Sequence, residues 1–198
     1  NKNLAEKGLY FGPNTSTANR CTIGGMVGNN SCGTTSIVYG STRDHVISLE
    51  VVLSDGSLVT FEDTAPKALK EKVNQTDLEG QIYAQIYHQL KNPEIRESIK
   101  TQYPKKGIDR RNTGYAVDIL MDQQPFNENG APFNLSKLLC GSEGTLAFTT
   151  EIKLSVSPLP PKEQVVVAVH FENIITAMHG AVVAMDFQPD ACELMDKI

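Results

Sequence analysis

A glycine-rich stretch between Arg20 and Gly33 constrains this chain more than any other segment. Four glycines and two asparagines interrupt a run of otherwise small and apolar residues, Arg20-Cys21-Thr22-Ile23-Gly24-Gly25-Met26-Val27-Gly28-Asn29-Asn30-Ser31-Cys32-Gly33. Glycine lacks a Cβ, so its backbone reaches positive φ and can lie directly against a flat or phosphorylated ligand. Asparagine tolerates left-handed conformations. The stretch therefore predicts either an ordinary turn between strands or a backbone surface that is open to close approach.

Further motifs continue this pattern along the chain. They are Thr22-Ile23-Gly24-Gly25, Asn29-Asn30-Ser31-Cys32-Gly33, Tyr39-Gly40, Arg111-Asn112-Thr113-Gly114-Tyr115, Asn134-Leu135-Ser136-Lys137-Leu138-Leu139 and Gly141-Ser142-Glu143-Gly144-Thr145-Leu146. In this order, over roughly residues 10 to 160, they resemble the flavin domain of the vanillyl-alcohol-oxidase-type (PCMH-type) family of FAD-linked oxidases and dehydrogenases. Each motif is weak alone, but the combination is specific. The branch that it resembles contains the FAD-linked dehydrogenases of D-2-hydroxy acids, such as the glycolate oxidase flavin subunit, D-lactate dehydrogenase and D-2-hydroxyglutarate dehydrogenase.

The resemblance implies an α+β fold, with a mainly antiparallel sheet and surrounding helices. Residues 1–157 would form the second, C-terminal part of a PCMH-type FAD-binding domain, with a helical insertion at about 65–104 and a loop insertion at about 118–133. Residues 158–163 begin with Pro158-Leu159-Pro160-Pro161, which predicts a stiff linker. Residues 164–198 would begin an α+β substrate domain.

FAD is the implied cofactor, and the resemblance also implies which residues contact it. They are Pro13, Thr22, Ile23, Gly24, Gly25, Asn29, Asn30, Gly33, Tyr39, Gly40, Glu143, Gly144, Thr145, Leu146, Ala147 and Ile152. Contacts from the later turn are expected to be made largely by backbone. Glu143 is accordingly expected to orient backbone rather than to move protons.

The expected partners are a small hydroxy-acid substrate and other segments of the same protein. In the family a pyrophosphate-binding loop precedes this region and the substrate domain continues beyond it. Because the chain starts at Asn1 without an initiator methionine, we expect a fragment of a longer enzyme. The isolated chain is expected to bind FAD weakly or not at all, and to be inactive.

Composition excludes several other classes of protein. The 198 residues carry a net charge of -5, which disfavours nucleic acid as a partner. No apolar run approaches the ~20 residues of a membrane span. The four cysteines have no close paired spacing, so we predict no metal site, a reducing compartment and four small buried thiols. A covalent link between flavin and Cys21 or Cys32 is the sharper alternative. The expected location is the cytoplasm, with peripheral attachment to the inner face of a membrane as the alternative.

No catalytic residue is assigned from the sequence. The four histidines, at positions 45, 88, 170 and 179, form no cluster, and the family's base and carboxylate or metal ligands lie in the later substrate domain. His45 is interpreted as a histidine at a hairpin edge. The basic run Lys105–Asn112 is interpreted as a solvated surface, with Arg110 or Arg111 directed at a substrate carboxylate or the flavin edge as the alternative.

Local patterns predict the main elements. Alternation over Ile47, Leu49, Val51 and Leu53 followed by Asp55-Gly56 predicts a β-hairpin that extends to Phe61. From 65 to 103 the period becomes helical, with a capping box at Thr76–Glu79 and a second cap at Asn92-Pro93. Later strands are predicted at Leu146–Val156 and Gln164–Phe171. A helix that Asn173 caps is predicted to run to about Phe187.

Two rival functions remain open at this point. One is a non-catalytic interaction module whose working surface is the helical segment Thr76–Tyr103 and whose glycines are structural. The other is a flavoenzyme of the same fold with different chemistry, either an NADPH-dependent reductase of a cell-wall precursor or an aldonolactone oxidase. The colour of the protein and its bleaching by each reductant would discriminate them.

Overall fold

The fold combines short helices with two small antiparallel sheets. The computed structural model describes residues 1–105, 107–108, 111 and 113–196. In chain order the elements are α1 (Lys2–Ala5), β1 (Leu9–Tyr10), α2 (Ile23–Asn29), α3 (Ser36–Tyr39), α4 (Thr42–His45), β2 (Val46–Val52), β3 (Leu58–Phe61), α5 (Pro66–Val73), α6 (Leu78–Lys91), α7 (Pro93–Gln102), α8 (Val117–Met121), α9 (Ser136–Leu139), β4 (Phe148–Leu154), β5 (Ser157–Pro158) and α10 (Ile174–Met185). The predicted α+β class is thus confirmed, with sheets that are small beside the helices.

The larger sheet has the strand order β3-β2-β4, and all its pairs are antiparallel. The predicted hairpin is confirmed, with Leu49 opposite Phe61 on one side and Ile152 on the other. Of the four alternating apolar residues, Leu49, Val51 and Leu53 are buried together as alternation onto one face requires, but Ile47 is 39% exposed. The register of β2 against β4 shifts between Val46 and Ser48, and this irregularity turns Ile47 outward.

The predicted helical segment is confirmed as α5, α6 and α7. The cap of α6 differs by one residue from the prediction, because Asp77 rather than Thr76 accepts the bond from the Gly80 N–H. Asn92 caps α7 ahead of Pro93, as predicted. Tyr83, on α6, is completely buried against Phe61 and Phe133.

The core lies between the larger sheet and these helices. Its fully buried side chains include Leu49, Val51, Leu69, Leu120 and Leu135. The smaller sheet pairs β1 with β5, so that Leu9 faces Pro158. The first residue of the predicted linker is therefore tied to the start of the chain by strand pairing.

The predicted strand at Gln164–Phe171 does not form. Within the described residues this segment has no strand partner, and Val165 and Val166 are 87% and 94% exposed. A single strand leaves its backbone groups unpaired, so alternation and β-branching are not sufficient to form one. The following helix is confirmed: Asn173 caps α10, which has no buried residue.

No helix in the described ranges is long and apolar enough to cross a membrane. None of the four cysteines, all of them described, is in a disulfide, and the prediction that all are buried holds for Cys140 alone, since Cys192 is exposed. Cys21 and Cys32 are half-buried and Cys140 is buried.

Candidate functional site

The first half of the candidate site is α2, a helix that carries three of the four glycines of the Arg20–Gly33 stretch. The helix begins because the Thr22 hydroxyl accepts a bond from the Gly25 N–H at 3.1 Å, and it ends at Asn30, whose φ of 48° is left-handed. A Cβ added at Gly24 would meet no atom within 4 Å. Ile23 beside it is 43% exposed. The amino end of α2 therefore presents bare backbone and one apolar side chain.

The second half is the turn at Gly141–Leu146. Two hydrogen bonds join it to α2, from the Gly141 N–H to the Val27 carbonyl and from the Glu143 N–H to the Gly28 carbonyl, each 2.9 Å long. The two glycine segments, more than 100 residues apart in the sequence, therefore lie side by side.

The tip of this turn is as bare as the start of α2. Glu143 and Gly144 both have positive φ, at 53° and 73°. A Cβ at Gly144 would meet no atom within 4 Å. Glu143, Gly144 and Thr145 are exposed, and Leu146 is 43% exposed. A flat ligand can thus approach the backbone of this tip.

Tyr115 lies against the same turn. Its hydroxyl is 2.6 Å from Thr145 Oγ1, and Thr145 donates in turn to the Ser142 carbonyl. Because the Thr145 proton is used in that bond, Tyr115 is the donor to Thr145. Tyr103 donates to the Tyr115 carbonyl at 2.8 Å. The tyrosine, which is 46% exposed, adds an aromatic surface beside the bare backbone.

The remaining predicted contact residues divide into two groups. Tyr39 packs against Gly12, and Gly33 packs so closely on Asn14 that an added Cβ would lie 1.6 Å from its carbonyl oxygen. Gly40 has a φ of 69° beside Asp44, and Pro13 is buried. These glycines are thus needed for packing within the chain. The second group comprises Asn29, which is exposed, Asn30, which is buried, and Ala147 and Ile152, which are half-buried.

His45 is buried and hydrogen-bonded to backbone. It ends α4, with its Nε2 2.7 Å from the Tyr39 carbonyl and its Nδ1 3.2 Å from Ser155. His45 thus lies at the edge of the hairpin, directly before β2, as predicted, and its ring ties the end of α4 to the segment after β4. Among the described residues no three His, Cys, Asp or Glu side chains group as metal ligands.

A small polar cavity of about 50 Å³ lies beside the site, and its lining includes Arg43, Arg111, Thr113 and Asp118. Arg111 pairs with Asp118 at 2.6 Å, so its guanidinium is already partnered by a carboxylate. The alternative role predicted for Arg110 falls outside the described residues.

A buried cation, Arg43, and a half-buried one, Lys137, support the site, and sequence reasoning assigned a role to neither. Arg43 is 2% exposed and donates to the carbonyls of Gly114, Lys137 and Cys140. Lys137 donates to the carbonyls of Arg43 and Val46. Burial lowers the pKa of both side chains, and it raises the pKa of the Cys140 thiol to about 11. No sequence signal marked them, because charged residues are expected at the surface.

These residues fit the ring end of a flavin. Bare backbone at Gly24 and Gly144 admits close contact, and Ile23, Leu146 and Tyr115 supply apolar and aromatic surface for a flat ring. Most N–H groups of the turn donate within the chain, among them those of Gly141, Glu143 and Thr145, so the N–H of Gly144 at the exposed tip is the one placed to donate to a ring carbonyl oxygen. The arrangement is therefore compatible with the cofactor that the sequence predicted.

Comparison with known proteins shows what the sequence of this chain is similar to. Residues 1–62 match the family described as FAD binding domain. Over 197 residues, 99% of the chain, it is 37% identical to a D-2-hydroxyglutarate dehydrogenase of Pantoea ananatis and 33% identical to one of Escherichia coli. It is 26% identical over 196 residues to the glycolate oxidase subunit GlcD of Bacillus subtilis.

The matches cover nearly all of this chain but only part of each relative. The chain spans 18% of the two dehydrogenases and 28% of the Bacillus subtilis subunit. The resemblance predicted from the sequence motifs is thus confirmed: the chain is similar over its length to D-2-hydroxyglutarate dehydrogenases and to a glycolate oxidase subunit, and its residues 1–62 match the FAD binding domain family.

Proposed function

We propose that this chain is part of an FAD-dependent oxidoreductase that oxidises a D-2-hydroxy acid. The observation that carries the proposal is the pair of backbone hydrogen bonds from Gly141 and Glu143 to α2. They place two side-chain-poor segments next to each other, with open backbone at Gly24 and Gly144. The names of the similar proteins support a 2-hydroxy acid as the substrate class, and D-2-hydroxyglutarate is the first candidate to test as substrate.

We further propose which residues hold the cofactor and how. Thr22–Gly25 and Glu143–Leu146 lie against the ring, the first through bare helix backbone and the second through its exposed turn. Tyr115, held by Thr145, closes one side of this surface and excludes water from it. Bound FAD would supply the acceptor for the hydride that leaves the substrate carbon.

The domain division is part of the same proposal. Residues 1–157 form the cofactor-binding part, residues 158–163 the linker and residues 164–198 the start of a substrate domain. Exposed apolar residues support the last assignment, since Val165, Ile175 and Val182 are each at least 67% exposed and need a covering partner. The chain spans 18% of a similar D-2-hydroxyglutarate dehydrogenase, so the surface that covers these apolar residues would come from another part of the protein.

The test is made on the chain with its native flanking sequence. Purified protein should be yellow, and its flavin absorbance should bleach anaerobically with D-2-hydroxyglutarate, D-lactate or glycolate. A colourless protein that cannot be loaded with FAD would contradict the proposal and favour the interaction module. Bleaching by NADPH alone would favour the reductase.

A matched pair of glycine variants tests the site itself. Gly144 and Gly8 have φ values of 73° and 72°, and an added Cβ at either would meet no atom within 4 Å. Gly144→Ala and Gly8→Ala should thus cost similar stability through backbone strain, about 1 kcal/mol each. Only Gly144→Ala should weaken FAD binding, as measured by titration of flavin fluorescence. Equal FAD affinities for the two variants would argue against contact at Gly144.

A further inference from the structure

Arg43 is an unusual residue because its guanidinium is buried and donates to backbone carbonyls. It is 2% exposed, and its guanidinium donates to the carbonyls of Gly114, Lys137 and Cys140. Its own N–H donates to Asn30 Oδ1 at 2.8 Å. One residue therefore binds three segments that are far apart in the sequence.

These three segments are the ones that form the candidate site. Asn30 ends α2, Gly114 immediately precedes Tyr115, and Cys140 immediately precedes the turn at Gly141. The carbonyl of Gly114 is 2.7 Å from Arg43 Nη2. Charge-assisted bonds from one rigid guanidinium fix both distance and direction more closely than separate neutral bonds do.

The turn itself is shaped around this guanidinium. Gly141 has a φ of +96°, and an added Cβ there would lie 2.4 Å from Arg43 Nη2 and 2.9 Å from the Gly114 carbonyl oxygen. Lys137 supports the arrangement from the other side, since its ammonium donates to the Arg43 carbonyl at 2.9 Å. The side chain and the turn thus fit each other closely.

We propose that Arg43 is a positioning residue for the cofactor: its guanidinium sets the spacing between α2, Tyr115 and the turn that begins at Gly141. This rests on the proposed function, since the spacing matters for a flavin only if one binds there. The hydrogen bonds of Arg43 end on Asn30, Gly114, Lys137 and Cys140, so it acts on the cofactor surface through the segments that it holds. A purely structural arginine would alter stability without altering the cofactor surface.

The test compares Arg43→Lys with Leu90→Ala in the chain with its native flanking sequence. Lysine keeps the charge but loses the planar fork, so it cannot reach Gly114 and Cys140 together. Leu90 is a core residue of α6, 3% exposed, and its truncation lowers stability away from the site. If Arg43→Lys does not fold, Arg43→Gln takes its place, with a neutral amide donor.

Two readouts separate positioning from stability. In the FAD-free protein, amide hydrogen exchange at Gly114–Tyr115 and Ser142–Leu146 should become at least tenfold faster in Arg43→Lys and stay unchanged in Leu90→Ala. In the loaded protein, the FAD dissociation constant should rise at least tenfold in Arg43→Lys. In Leu90→Ala it should stay within twofold of the wild-type value, although the melting temperature of that variant falls as far as that of Arg43→Lys.

The two measurements separate a failure of the positioning role of Arg43 from a failure of the proposed function. Unchanged exchange in Arg43→Lys would overturn the positioning role, whether or not flavin binds. Faster exchange with an unchanged dissociation constant would also overturn it. A wild-type protein that cannot be loaded with FAD would refute the proposed function, and with it the role of Arg43 in positioning a cofactor. The exchange measurement would then report only whether Arg43 orders the segments at Gly114–Tyr115 and Ser142–Leu146.

Discussion

Substitution of Gly24 by alanine should strengthen the fold and weaken the cofactor site at the same time. Gly24 lies in the first turn of α2, and an added Cβ would meet no atom of the chain within 4 Å. Glycine costs a helix up to about 1 kcal/mol relative to alanine. We therefore expect Gly24→Ala to raise the free energy of unfolding by about 0.5 to 1 kcal/mol. For a chain of this length that corresponds to roughly 1 to 4 °C in melting temperature.

The same methyl group should stand between the backbone and a flavin ring. Forcing a methyl into a close contact costs about 1 to 3 kcal/mol, which raises the FAD dissociation constant by roughly 5- to 150-fold. Fluorescence titration and thermal melts of the chain with its native flanks measure the two effects. A more stable protein that binds less FAD is a result that general damage cannot produce.

Gly28→Ala is the matched control. It lies in the same helix, and its added Cβ would make an ordinary 3.8 Å contact with the Glu143 Cα. Stability should rise or stay constant, and the FAD dissociation constant should stay within twofold. If Gly24→Ala binds FAD as tightly as wild type, the reasoning from bare backbone is refuted.

Three further predictions concern the support of the site. Asn134 is 1% exposed and bonds to the Ile47 carbonyl and Asp63, so Asn134→Ala should lower the free energy of unfolding in urea by about 2 to 4 kcal/mol; a loss under 1 kcal/mol would contradict this. Cys140 should resist iodoacetamide at pH 8 while Cys192 reacts, since burial raises the pKa of Cys140 to about 11. The contribution of this thiol to the free energy of unfolding is complete below pH 9 and is lost as the pH rises towards 11. Early alkylation of Cys140 would refute its burial. The Tyr83 hydroxyl is buried without a hydrogen bond of good geometry; burial raises its pKa, and the nearby Thr64 side chain offsets this only in part. Tyr83→Phe should therefore leave stability equal or raise it by up to about 1 kcal/mol, and a clear loss in thermal melts would show that the contact with Thr64 is a stabilising bond.

Local signals predicted the elements that are decided locally. The Asp55-Gly56 turn fixed a hairpin, and Asn92-Pro93 fixed the start of α7, because each depends on residues a few positions apart. The cap of α6 was misplaced by one residue since Thr76 and Asp77 are both good caps. Only the geometry of the helix start selects Asp77.

The errors come from contacts that no local pattern contains. Ile47 is turned outward by an irregularity that depends on β4, about 100 residues later. The segment Gln164–Phe171 has the composition of a strand, but no partner among the described residues pairs with it. Pairing is a tertiary property, so propensity alone gave the wrong answer there.

The candidate site shows the same division. Motifs predicted that the segments around Gly24 and Gly144 belong to one site, and the structure joins them through the carbonyls of α2. They did not reveal Arg43, whose burial depends on carbonyls presented by three distant segments. Whether FAD contacts the predicted residues stays a prediction.

Hydrogen exchange of the chain with its native flanks, with and without FAD, tests the central claim most directly. If the two glycine segments form one flavin surface, FAD should slow exchange of the amides at Gly24–Gly25 and at Gly144–Leu146 together, at the same ligand concentration. Protection of one segment alone, or of neither, in a protein that holds FAD would contradict the account.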